Sequence, residues 1–380
     1  MLTEECGAWF FMRSAADSEV RAPWRCVLRE NSSPNEYPFC LRRTKEQVLT
    51  DLPPASEAAP ARRTPWWLWP HVLSLEAPAV AVLWQTALAH AHGIRLTPLL
   101  SVGLALACWV IYLLDRTLDT VAAKSVAELD VRHAFYHRHR RVIMLGVIPP
   151  ALLLLAWMAL FVIPEGVLWQ AVGLALLVAL YLASWSAQGS RVSRDVFISC
   201  AGLGGIMLIS RMPISSGSKF TLSLLVLGVM VLSFLRQMDV RMGSVLPKEM
   251  TAALLFAMGC TTSTRFLAMP ETVAEPVLEC VLLALLFACN LHGITCREAG
   301  LQDDRKHSAL VLGTVVFTLG VLWCIEFGLL EHVLLGPARV ALGAVVLHAL
   351  AHGSRRRYSA DAYRVLADLA LILPLPLAWL

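Results

Sequence analysis

Tyr112-Leu113-Leu114-Asp115-Arg116-Thr117-Leu118-Asp119 closes an apolar run that opens near Thr97. That run is long enough to cross a bilayer as a helix. Two carboxylates and a guanidinium at its end are costly even at membrane-interface depth. On a helix Asp115 and Asp119 are four residues apart, so both carboxylates leave the same face one turn from each other. Close carboxylates repel and raise each other's pKa, and a divalent cation between them removes the repulsion. Hard oxygen donors suit Mg²⁺, which completes its shell with water and substrate phosphate. The stretch therefore reads in two ways. It is a membrane site for a metal-bound diphosphate, or it is a helix end whose Asp and Arg pair with neighbouring loops in the headgroup region.

The rest of the chain supplies the setting. Of its 380 residues 57% are hydrophobic and 16% charged, against about 25% charged in an average soluble domain. The mean hydropathy is +0.63. Apolar stretches are continuous rather than alternating, which selects helices over a barrel. The fold class is all-α, a multi-spanning transmembrane helical bundle. A net charge of +4 is too small to imply a nucleic-acid partner. The ten cysteines are scattered without a CxxC spacing. They read as small hydrophobes, not as a disulfide framework or a zinc site.

Residues 1–65 stand apart, rich in Pro, Ala, Ser and charge, with no clean signal-peptide pattern. They read as a polar, disordered tail on the cytoplasmic side, and 66–380 as the membrane domain. Trp66, Trp67 and Trp69 form an interfacial aromatic anchor. Spans are expected near 70–90, 97–121, 142–163, 167–186, 250–268, 277–296, 308–330, 334–352 and 362–380, with two further apolar segments at 195–212 and 220–235. Eleven spans, or nine plus an inserted hairpin, put the cationic connections on alternate sides. Arg132, Arg138, Arg140 and Arg141, then Arg241 and Lys248, then Arg355, Arg356 and Arg357 fall on one side, which the positive-inside rule makes cytoplasmic. The acidic ends of 97–121 and 277–296 fall on that same side. Glu298, Asp303 and Asp304 thus answer Asp115 and Asp119 across the bundle.

With both acidic junctions in view, the chain resembles the UbiA superfamily of intramembrane prenyltransferases. That family has nine helices, with an Asp-rich motif after helix 2 and another after helix 6. Asp115-Arg116-Thr117-Leu118-Asp119 matches the core of the first motif. A UbiA-like branch of unassigned activity is nearer still. It shares Tyr112 to Asp119, Arg132-His133-Ala134-Phe135, Pro247-Lys248-Glu249, Asn290 to Glu298 and Asp304-Arg305, along with Ser74-Leu75-Glu76-Ala77-Pro78 and Arg364 to Asp368. The likeness covers about 66–187 and 247–380, and leaves 188–246 as the inserted hairpin. The chain departs from the family at Ile111-Tyr112, where Asn-Asp is usual, and at Gln302, where the second motif's later Asp is usual.

The resemblance implies Mg²⁺-dependent transfer of an isoprenyl group from its diphosphate to an aromatic or lipid acceptor, in the cell's inner membrane. Asp115 and Asp119 would bind one Mg²⁺, and Glu298 with Asp303 or Asp304 a second. Arg116, Lys124, Arg132 and Arg305 would meet phosphate oxygens, although positive-inside bias explains such cations equally. Tyr112 would hydrogen-bond Asp115 or stack on an isoprenoid carbocation. Asn290 would line the pocket or join two helices. Lys248 and Glu249 read as a mutual ion pair, and His133, His137 and His139 as members of a solvated loop. The alternative is a fold that has kept its pocket but binds or transports an isoprenoid or lipid without turning it over.

Overall fold

The computed structural model describes residues 65–121, 131–185, 248–269, 274–298 and 305–379, with scattered positions between 202 and 228. The side chains of 119–121, 131, 133 and 183–185 fall outside the description. So do the polar tail up to residue 64, Lys124, Asp303 and Asp304.

The described chain is helical, with no strand among the described residues. Its elements are α1 (Trp69–Val72), α2 (Glu76–Ala91), α3 (Pro98–Val121), α4 (Val131–Val142), α5 (Ile148–Phe161), α6 (Glu165–Trp185), α7 (Lys248–Ala268), α8 (Ala274–Glu298), α9 (Arg305–Glu326), α10 (Leu335–Gly353) and α11 (Ala360–Ile372). Among the described residues 7 helices are long and apolar enough to cross a membrane, and 8 if the bent α1–α2 pair is one span. The protein is an all-α integral membrane bundle. Leu153, Trp157, Leu160, Phe161, Leu312, Val316 and Trp323 stay exposed on its flanks. An apolar band of this kind is what lipid covers.

α7 earns its central place with small side chains. Ala253, Ala257, Cys260 and Thr264 are fully buried at helical spacing, and α7 and α8 form the most extensive helix pair. Small residues let backbones approach closely where lipid tails supply no hydrophobic drive. The hydroxyls of Thr261 and Thr262 donate to the carbonyls of Ala257 (3.1 Å) and Met258 (2.6 Å), so they add no unpaired polar group. The core between α2, α8 and α10 holds Trp84, Leu88, Leu283, Leu286 and Ala341, with Trp84 edge-on to Phe287 at 6.1 Å.

Three expectations change shape. The first span is broken: α1 and α2 meet at 78°. Ser74, at the break, is buried with φ 53°. Irregular backbone at membrane depth survives only when its polar groups are satisfied inside the protein. Here the Leu73 carbonyl accepts from Trp109 Nε1 (3.0 Å), and Ser74 Oγ meets Tyr136 Oη at 2.9 Å. Second, the basic stretch read as a solvated loop is helical from Val131, and Arg132 and Tyr136 are buried. α4 runs into α5 through a π-helical turn at Ile143–Val147. Pro149 and Pro150 remove two successive amide donors just beyond, which disrupts the regular ladder there. Third, the last span runs to Trp379 as expected but is broken inside: α11 ends at Ile372, before Pro374, and a 3-10 turn at Leu375–Trp379 completes it. Of the expected hairpin at 188–246, the described positions are helical, and Ile209 and Val226 are buried against Leu177, Leu180 and Tyr181 of α6. The remainder lies outside the described residues.

Candidate functional site

The ends of α3 and α8 and the starts of α2, α7 and α11 meet at one end of the bundle, around a cavity of about 430 Å³. Helix alternation produces this convergence. α3 and α8 arrive where α2, α7 and α11 depart, so charged helix ends from distant parts of the sequence become neighbours. Tyr112, Asp115 and Arg116 line the cavity from α3, and Asn290 and Glu298 from α8. Arg132 of α4 lines it too. Arg305 opens α9 exposed and does not line it. Asp119, Lys124, Asp303 and Asp304 have no described side chain. Going inward, the walls become apolar through Leu104, Cys108, Val178, Leu255, Phe256 and Phe287. Leu104 lies eleven residues before Asp115 on α3, which is about 16 Å of helix.

The polar end has two layers. In the outer layer each motif carboxylate among the described residues meets a cation. Asp115 Oδ1 lies 3.8 Å from Lys248 Nζ, where sequence reasoning pairs Lys248 with Glu249. Glu298 Oε1 accepts from Arg364 Nε (2.7 Å) and from its terminal nitrogen (2.6 Å), and Arg364 also donates to Asp361 (3.0 Å). Arg364 is 4% exposed, whereas the Glu298 side chain keeps 37%. The carboxylate therefore remains reachable while its partner is locked in place.

The inner layer is centred on three residues to which sequence reasoning gave no role. His71, Glu76 and Asp368 bring one donor atom each within 4.8 Å of one another. Asn290 Nδ2 donates to Asp368 Oδ1 at 3.0 Å. On the far side of His71 stands Arg132, 3.5 Å from Nε2. A guanidinium can only donate, so Nε2 accepts, and the ring proton sits on Nδ1, 3.3 Å from Glu76 Oε1. That tautomer aims the Nδ1 proton at Glu76 without a formed hydrogen bond and leaves His71 no lone pair for a metal. Burial pushes the Arg132 guanidinium down to about 10, helped by the nearby Arg116 and Arg364 charges. It remains a cation at neutral pH. Four buried polar atoms of this layer lack a partner: His71 Nδ1, Arg132 Nε, Glu76 Oε2 and Asn290 Oδ1. The stretches around Glu76 and Asp368 had been noted only as resemblance; their acid residues sit mid-motif without a spacing that signals a site.

The donor chemistry here fits Mg²⁺ in part. Asp115 and Glu298 supply hard oxygens to the cavity from different helices, each already balanced by a cation. Comparison of the chain with protein-family models, with curated proteins and with solved structures gives no match.

Proposed function

We propose that the chain is a UbiA-like intramembrane prenyltransferase, transferring an isoprenyl group from its diphosphate to an aromatic or lipid acceptor, with its motif end facing the cytoplasm. The observation that supports this most is one cavity with charge at its mouth and hydrocarbon at its depth. Asp115, Arg116 and Arg132 meet Glu298 at that mouth. An amphiphile with an anionic head and an apolar tail matches both ends. Arg132, with an unpartnered buried Nε, offers a donor to a phosphate oxygen. Lys248 and Arg364 balance the motif carboxylates when the cavity is vacant of ligand charge, and Lys248 can turn from Asp115 to the diphosphate. Asp115 and Glu298 would hold Mg²⁺, which supplies charge neutralisation of the departing diphosphate. The apolar walls would exclude water from the allylic carbon, and Tyr112, which lines the cavity, would offer its ring to the developing cation. Glu76, aided by His71, is placed to accept the proton that the acceptor loses.

The outer-layer ion pairs favour a second reading, in which the same cavity holds an isoprenoid or lipid without turning it over. Binding and turnover separate the two. Purified protein in micelles should bind isoprenyl diphosphates only with Mg²⁺, and Asp115→Ala should abolish that binding. Metal-independent binding that Asp115→Ala leaves unchanged overturns the enzyme reading. Mg²⁺-dependent binding with no diphosphate release in the presence of aromatic and lipid acceptors favours the second.

A further inference from the structure

On its other flank α8 faces a polar cluster distinct from the residues lining the cavity. Four imidazoles meet there: His292 of α8, His307 of α9, and His348 and His352 of α10. His307, His348 and His352 are 1%, 0% and 6% exposed. The ring centroids of His307 and His348 are 5.4 Å apart, those of His292 and His307 5.8 Å, and those of His307 and His352 3.9 Å. His352 Nδ1 lies 3.0 Å from Tyr363 Oη, and His292 Nε2 lies 3.7 Å from Cys296 Sγ. Both ring nitrogens of His307 are buried without a hydrogen-bond partner; those of His348 find no well-formed one, with the Cys289 backbone standing near.

Such a polar atom is costly to leave unsatisfied in the interior. A leucine would fill either position without that cost. Packing therefore gives no account of the imidazoles, and metal ligation does. We propose that this cluster binds a first-row divalent ion of the zinc class, with His307 and His348 as ligands and His292 and His352 completing the set. At a metal–nitrogen distance of about 2.0–2.1 Å, two imidazoles bound tetrahedrally stand with centroids roughly 5 Å apart. The His307–His348 and His292–His307 separations are already close to that value. The stacked His307–His352 pair must open by ring rotation, because the nitrogens do not yet converge: among the described residues three donors come within 4.8 Å of one another at His71–Glu76–Asp368. Neutral imidazoles select zinc, cobalt, nickel or copper over magnesium, so this site does not compete for the ion of the cavity. Bound there, the metal ties α8, α9 and α10 together beside Tyr363, whose chain neighbour Arg364 holds Glu298. Its role is that of a structural staple behind the cavity wall.

The test uses full-length protein purified without a polyhistidine tag, stripped with chelator and titrated with Zn²⁺ or Co²⁺ in micelles. One equivalent is expected, with the visible Co²⁺ bands of a tetrahedral site, bleached by Zn²⁺. His307→Leu and His348→Leu should each weaken Zn²⁺ binding at least tenfold, and His332→Ala, at the other end of α10, should not change it. Equal binding by both leucine variants overturns the proposal. So does a wild type whose Co²⁺ shows no tetrahedral bands, and that readout decides alone if the variants fail to fold. All of this is measured without isoprenyl diphosphate, so it stands or falls apart from the proposed activity.

Discussion

Gly293→Ala is the sharpest probe of the wall between the cavity and the histidine cluster. A Cβ at Gly293 would lie 2.7 Å from Tyr363 Oη, 2.8 Å from His348 Nε2 and 3.0 Å from His348 Cε1, where ordinary contact begins at 3.4 Å. Two buried groups must then retreat by roughly 0.6–0.7 Å inside a close-packed core. Overpacking of this size costs about 1–3 kcal/mol. Displacing Tyr363 also weakens its contact with His352 Nδ1, worth about 1 kcal/mol. Against this, alanine gains about 0.8–1.0 kcal/mol of helix propensity over glycine. Gly313→Ala on α9 carries the same propensity gain, and nothing lies within 4 Å of its added carbon. The propensity therefore cancels between the two variants, leaving Gly293→Ala less stable by about 2–4 kcal/mol. Denaturant unfolding of both variants in the same micelles measures that difference. Variants that match within about 0.5 kcal/mol would refute the packing of α8 against Tyr363 and His348.

Three other perturbations address separate regions. Arg132→Ala should weaken Mg²⁺-dependent isoprenyl diphosphate binding about tenfold or more, since a charge-assisted hydrogen bond is worth about 1.5–3 kcal/mol. Lys248→Ala should lose less, its side chain being 37% exposed; titration calorimetry reads both, and an unaffected Arg132→Ala would remove Arg132 from the phosphate site. Just past the end of α2, His92 is held above its ordinary 6.5 by its hydrogen bond to Glu279 (3.1 Å), with burial opposing. A raised pKa in the folded state gives stability that is complete below the unfolded value and fades as pH climbs through the folded one. The melting temperature should therefore fall, as pH rises above about 6.5, more steeply in the wild type than in Glu279→Gln; equal slopes would count against the pair. Ser263→Ala strands Gln85 Nε2, now bonded to Ser263 Oγ at 2.7 Å with Gln85 2% exposed. It should cost about 1–3 kcal/mol, and a neutral outcome in the same unfolding assay would show that Gln85 finds another acceptor.

The membrane bundle was legible because burial in lipid leaves a one-dimensional mark: uninterrupted apolar runs of span length. Placement of Asp115 and Glu298 at one end was legible for a related reason, since strict alternation of helices assigns each end to a side. Residues whose partners come from other helices left no such mark. Arg364 is an unremarkable cation near a helix start until Glu298 appears beside it. Lys248 sits next to Glu249 in sequence but reaches Asp115 across a helix pair. The break at Ser74 was hidden because the hydropathy of 70–90 is continuous. What permits the break is a tyrosine and a tryptophan far away in sequence, Tyr136 and Trp109. The histidines were invisible for the same reason: only His348 and His352 share a helical spacing, and the cluster exists only once α8, α9 and α10 pack.

Charge at this depth needs an account whichever chemistry is correct. Paired ions inside a bundle gain little over well-packed apolar groups, because desolvation consumes most of the attraction. If the polar end served only to join helices, complete pairing would be expected, since an unsatisfied member makes the network worse than an apolar core. The outer layer is paired. The inner one is not: His71 Nδ1, Arg132 Nε, Glu76 Oε2 and Asn290 Oδ1 remain buried and unmatched on four different helices around one cavity. Two are donors and two are acceptors, so no rotation of a single side chain satisfies all four. An occupant bearing both acceptor oxygens and a proton to give up would satisfy them together. A diphosphate meeting Arg132 and an acceptor hydroxyl meeting Glu76 are such a pair, which is why the incomplete layer, more than the completed one, argues for a substrate site.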